Sequence, residues 1–223
     1  MLFIIFKKRS NILIIVVQFN MISFTCISPH PPLILPSVGS SQEREQVKKT
    51  IDSLHQLGRE LQKIKPDLIV ISSPHPDWGF EVPLHFLAKG LHSRVDSFQT
   101  RMDSPSEHFQ AGRVYFEKEL KNSSEKIALI ASGDLSHVLK ADGPYGLHPD
   151  GQKFDNALID GLKKKDIKTI LELDDRHPEA GECGLRSFCF VLGILEAAGI
   201  DWQTNILSYE APFGVGYLVA RLI

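Results

Sequence analysis

ISFTCISPHPP, residues 22–32, and DLIVISSPHPD, residues 67–77, follow one plan. Each opens with a short run of β-branched, aliphatic or aromatic residues, which reads as a strand over 22–27 and over 67–72. Each run closes on serine and passes into Pro-His-Pro, a sequence that neither continues a strand nor starts a helix, so His30 and His75 stand on the loops just past their strands. KIALIASGDLSH, residues 126–137, repeats the plan with a strand over 126–132 and His137 five residues beyond Ser132. The runs at 67–72 and 126–132 are almost wholly apolar, the pattern of strands buried on both faces of a parallel sheet.

Between the first two strands, SPHPPLILPSVG is too rich in proline for a helix and reads as a loop. A helix follows from Gly39-Ser40-Ser41, with Glu43 and Glu45 in its first turns and an apolar stripe of Val47, Ile51, Leu54, Leu57 and Leu61, and Pro66 stops it. Further along, residues 80–100 read as one or two strands and 106–121 as a helix through Val114, Phe116 and Leu120. Another helix starts near Gln152 and runs past Leu162, and 182–198 forms a strong helix with Leu185, Phe188, Val191, Leu192 and Leu195 on one side. The end, NILSYEAPFGVGYLVARLI, reads as two strands around a Pro/Gly turn. The expected fold is a single α/β domain over residues 21–223, with a central, mostly parallel or mixed sheet and helices on both faces.

Length and composition agree. The 223 residues exceed the roughly 150 of an average domain only modestly, and 43% hydrophobic with 23% charged residues excludes disorder, collagen and coiled coil for the whole chain. The net charge of −2 offers no broad basic field for nucleic acid or an anionic membrane. Cys26, Cys183 and Cys189 are an odd set without CxxC spacing, which fits a reducing, cytoplasmic compartment rather than a disulfide framework. Residues 1–20 are strongly apolar, but Lys7-Lys8-Arg9 splits them into runs too short to span a bilayer, and no signal-peptide order is present. This leader is expected to lie outside the fold, with Met21 as the functional start.

In an open α/β sheet, ligands bind beyond the carboxyl ends of the strands. Three histidines at three strand ends therefore point to one site: His30, His75 and His137. Two histidines that bind a metal commonly recruit a carboxylate, the facial arrangement of non-haem Fe(II). Glu182 in AGECGLRSF is the leading acid, although a carboxylate at a helix start is also favoured by the helix dipole alone. Its neighbour Cys183 and the strand-end Glu210 in SYEAPFG are the competing third ligands.

The motifs SPHPPLILPSVG, SPHPD, SGDLSHVLKADGPYGLHPDG, AGECGLRSF and SYEAPFGVGYLVA occur in order from position 28 to 220. Together they resemble the class III, LigB-type extradiol ring-cleavage dioxygenases, and most closely the short Memo-like relatives of the AmmeMemoRadiSam system. The resemblance implies that His30, His75 and Glu182 hold Fe(II), with Cys183 near that third position in Memo-like members, and that His137 is the acid–base catalyst. The implied function is cleavage of catechol-type rings, so the partners would be an aromatic diol and O2, with neither nucleic acid nor membrane; a homo-oligomer is compatible with the sequence. The alternative is a Memo-like metal-binding interaction or redox-accessory protein without ring cleavage. A chain starting at Met21 should be soluble, folded and able to bind metal; an insoluble Met21 chain beside a soluble full-length one would contradict the boundary.

Overall fold

A computed structural model describes residues 2–8, 11–17 and 21–223, the first two segments by backbone alone. Leu2–Lys8 and Asn11–Val17 are strands that pair antiparallel with each other in a separate two-stranded sheet. The leader expected over residues 1–20 falls partly outside the described residues.

The main sheet has six strands: β1 (Ile22–Ser28), β2 (Leu68–Ser73), β3 (Arg94–Gln99), β4 (Ile127–Ser132), β5 (Asn205–Glu210) and β6 (Tyr217–Arg221). Their spatial order is β3-β2-β4-β1-β6-β5. The first four of that order run parallel, whereas β6 is antiparallel to both β1 and β5. The sheet is thus mixed, with a parallel half and an antiparallel hairpin at its far edge. The helices are α1 (Ser41–Gln46), α2 (Lys48–Ile64), α3 (Trp78–Leu87), α4 (Pro105–Tyr115), α5 (Pro149–Lys164), α6 (Ile167–Leu171), α7 (Leu173–Arg176) and α8 (Leu185–Ala197).

Successive strand side chains point to opposite faces, and the apolar runs supply both. Phe24, Cys26, Ile69, Ile71, Ala128 and Ile130 pack with Leu54, Leu57 and Leu61 of α2 and Val82 and Phe86 of α3. On the other face, Ile27, Leu68, Val70, Ile127 and Leu129 pack with Phe154 and Leu158 of α5 and Phe188 and Leu192 of α8. Fully burying one such side chain stabilises by about 1.5–3 kcal/mol, so both helical layers are bound to the sheet. Among the described residues no helix is long and apolar enough to cross a membrane.

Two local expectations change. The helix after Ser40 begins with a capping box on Ser40 and Glu43, but Val47, at φ −115° and ψ 29°, divides it into α1 and α2. Residues 80–100 hold one strand, β3, and the stretch before it is the helix α3 despite Pro83 in its middle. Val82, Phe86 and Leu87 recur at helical spacing and are buried there, which outweighs the one backbone hydrogen bond that an internal proline forfeits.

Asp155 ties the layers together from α5. It is fully buried and accepts hydrogen bonds from the Ser136 backbone N–H at 2.8 Å and the Tyr209 hydroxyl at 2.6 Å. Burial pushes its pKa up to about 6 from 3.8, against the pull of those donors. Below about pH 4 folded and unfolded chains both bind this proton; between about pH 4 and 6 only the folded chain does, so stability from this group falls as pH rises and is exhausted above about 6. Asp155→Asn removes the titration. Relative to this variant, the wild type should lose up to about 3 kcal/mol in urea unfolding between pH 4 and pH 7; a difference that does not change with pH would contradict the assignment.

Candidate metal centre

β1 and β2 are not neighbours: β4 lies between them and runs parallel to both. The three loops after Ser28, Ser73 and Ser132 therefore leave the sheet at the same edge, and His30, His75 and His137 meet there as the strand-end reading requires. The rings of His30 and His75 are edge-on with centroids 5.1 Å apart. A ring nitrogen of each lies within 4.8 Å of the other and of Cys183 Sγ, and a carboxylate oxygen of Asp134, a ring nitrogen of His137 and the same Sγ form a second such group. Among the described residues Glu182 belongs to neither group.

Cys183 reaches the site because two glycines let two loops touch. A Cβ on Gly133 would lie 2.2 Å from Gly184 Cα, and one on Gly184 would lie 2.4 Å from the Phe188 ring and 2.9 Å from the Asp134 carbonyl oxygen. At this approach the Gly184 N–H donates to the Asp134 carbonyl at 3.0 Å and the Asp134 N–H points to Cys183 Sγ at 3.4 Å. Sγ is then 3.5 Å from His30 Nε2. Asp134 closes the arrangement from its other side, where Oδ1 accepts the His30 backbone N–H at 2.9 Å.

The two competing acids are engaged elsewhere. Glu182 sits just before α8 and uses Oε2 to accept the Leu185 N–H at 2.6 Å and Oε1 to accept from Arg186 at 3.2 Å. It serves the helix start, as the dipole and the free N–H groups of that turn favour, and burial pushes its pKa up to about 7 against those donors. Glu210 accepts from the backbone N–H and hydroxyl of Thr50 at 2.8 and 2.7 Å. His148 caps α5, where its Nδ1 accepts the Asp150 N–H, and His108 accepts the Arg101 N–H.

Burial governs the electrostatics of the site. It pushes His30 down to about 3, aided by the neighbouring His75, so the imidazole is neutral at physiological pH. It lowers His137 as well, opposed by the charge of Asp134, and raises Asp134 to about 6. The Cys183 thiol is pushed up by burial and by Asp134. The imidazoles of His30 and His75 and a thiol that would become thiolate on binding form a donor set of the kind that holds one transition-metal ion. Among the described residues His137 Nε2 is buried without a hydrogen-bond partner.

Three contributors carry no signal in the sequence. Ser132 bonds His30 Nδ1 at 2.9 Å. Trp78 lies 4.9 Å from the His75 ring at 31°, and Tyr145 lies 5.3 Å from the His137 ring at 35°; both aromatics are exposed, at 40% and 63%.

A family model described as the catalytic LigB subunit of aromatic ring-opening dioxygenase matches residues 75–220, a span that contains His75, His137 and Cys183. Protein CA_C1420 of Clostridium acetobutylicum is 28% identical over 265 aligned residues, which take in 87% of this chain and 56% of that protein. The chain thus spans a little over half the length of this curated relative. A solved structure, that of the uncharacterized protein JW3007 from Escherichia coli K12, shares the fold with a TM-score of 0.58 at 15% identity, covering 90% of this chain and 99% of that one.

The contact between the loops sets a test. Gly133→Ala places a methyl group against Gly184 and should destabilise by about 1–3 kcal/mol in urea unfolding, with loss of metal occupancy as Cys183 is displaced. An unchanged midpoint and unchanged occupancy would contradict the close approach.

Proposed function

The chain belongs to the LigB family, and from that membership we propose that it is a metal-dependent enzyme of the ring-opening dioxygenase type, holding one Fe(II) ion and acting with O2 on a catechol-type aromatic diol. His137 carries the reading: a metal site that served structure alone has no use for a buried imidazole nitrogen without a partner beside it.

His30, His75 and Cys183 would hold the ion. The acid to which the resemblance points, Glu182, is committed to Leu185 and Arg186, so the third position goes to the thiolate. Bound there, Fe(II) supplies a Lewis acid for the diol and a source of electrons for O2. His137 Nε2 takes a proton from a phenolic hydroxyl and later returns it, a role worth roughly 10²–10⁴ in rate. Asp134 favours the protonated imidazole and so strengthens His137 as a base, while burial works against it. The exposed rings of Trp78 and Tyr145 offer flat surfaces to an aromatic ring at the rim. Three free thiols, Cys26, Cys183 and Cys189, support a cytoplasmic setting.

Cys183 itself favours a second reading. A thiolate is softer than a carboxylate and suits Zn(II) or Cu(I) as well as iron, which fits a Memo-like metal-binding or redox-accessory protein without ring cleavage. Protein purified without oxygen should contain about one iron per chain and consume O2 with one or more of a panel of catechols. Full metal occupancy without O2 uptake would establish the second reading instead. Within the site, Cys183→Ser should empty most of the metal while Glu182→Gln leaves occupancy near wild type, and the reverse result would return the ligand role to Glu182. His137→Gln should keep the metal and lose roughly 10²–10⁴ in turnover; loss of metal would make His137 a ligand.

A further inference from the structure

We infer that Ser132 is a positioning residue that locks His30 in the tautomer with hydrogen on Nδ1 and a free lone pair on Nε2, and that Pro83 in α3 is what compels it to do so. The inference rests on the reading of His30 as a metal ligand and names what holds that ligand ready.

Pro83 has no N–H, so the carbonyl four residues earlier in α3, that of Gly79, loses its helical donor. Ser132, wholly buried at the end of β4, places its hydroxyl within hydrogen-bond distance of that carbonyl. A carbonyl oxygen only accepts, so the single Ser132 proton is donated to Gly79. The same hydroxyl oxygen lies 2.9 Å from His30 Nδ1, and with its proton committed it can only accept there. Nδ1 must therefore carry the hydrogen. The neutral ring has only one, which leaves Nε2 with its lone pair, and Nε2 is the atom 3.5 Å from Cys183 Sγ. The opposite assignment would leave the Gly79 carbonyl without this donor.

Local packing makes the relay possible. A Cβ at Gly79 would lie 2.0 Å from Ser73 Oγ and 3.0 Å from His75 Cβ, so only glycine lets the start of α3 press against the loop after β2 and present its carbonyl to β4. The proline that weakens a helix thus sets the orientation of a side chain on another strand. Partners that orient a metal-binding histidine in this way are worth 10–100-fold in metal affinity.

Nitrogen-15 NMR of ring-labelled, metal-free wild type reads the tautomer directly, with the His30 signals identified by their loss in His30→Gln. The expected spectrum shows a protonated Nδ1 and an unprotonated Nε2; a protonated Nε2 would overturn the inference. Ser132→Ala should release the tautomer into a mixture and lower Zn(II) affinity, measured against a competing chelator, by 10–100-fold, whereas an unchanged tautomer and affinity would overturn it. Pro83→Ala restores the helical donor to Gly79 and should also yield a mixed tautomer while Ser132 is still in place; a tautomer as pure as in wild type would remove Pro83 from the relay. If wild type bound no metal, the reading under which His30 is a ligand would fail, yet the metal-free spectrum would still decide the tautomer.

Discussion

Parallel pairing of β1, β4 and β2 makes three strands end at the same edge of the sheet, and every feature of the site depends on that coincidence. A parallel strand must be followed by a crossover, so its carboxyl end is free to carry a loop whose side chains no neighbouring hairpin claims. Three such loops deliver His30, His75 and His137. A fourth element, the turn before α8, closes on them only where Gly133 and Gly184 allow backbones to touch. The antiparallel hairpin of β5 and β6 extends the sheet on the far side of β1, and its turn pairs with the loop after β4, where the Leu135 N–H donates to the Gly216 carbonyl and the Gly216 N–H to the Ser136 carbonyl, both at 2.8 Å.

The site's ligand-type side chains fall into two groups that share one atom. His30 and His75 stand with the Cys183 sulfur, and Asp134 and His137 stand with the same sulfur on its other side. Burial suppresses charge on His30 and raises the pKa of Asp134 and of the Cys183 thiol, so the metal-free pocket is poorer in charge than its residue types imply. A cation held there would reverse this by displacing the thiol proton and compensating the buried thiolate. His137 is lowered by burial against the opposing charge of Asp134.

Much of this was legible in the residue order. Buried strands announce themselves by unbroken apolar runs, as in LIVIS and IALIA, and a histidine wedged between prolines just after such a run has little choice of position. The mixed, six-stranded sheet and its two helical layers follow from the same pattern. The stretch at 78–87 was harder to read because Pro83 and the aromatics argue against a helix locally, and only packing against α2 and the sheet decides for one. The choice between Glu182 and Cys183 turns on a single residue step in a tight turn, which sends one side chain to the helix start and its neighbour to the histidines. A sequence pattern has no means of telling those directions apart. Ser132 is invisible for a different reason: its partners are a carbonyl and a ring drawn from two other elements, far apart in the chain.

X-ray absorption on protein loaded with one equivalent of Fe(II) in the absence of oxygen examines the donor set most directly. The nearest scatterers should comprise one sulfur and two imidazoles, from Cys183, His30 and His75. A spectrum with nitrogen and oxygen neighbours only, and no sulfur, would contradict the thiolate site and the loop contact through Gly133 and Gly184 that builds it.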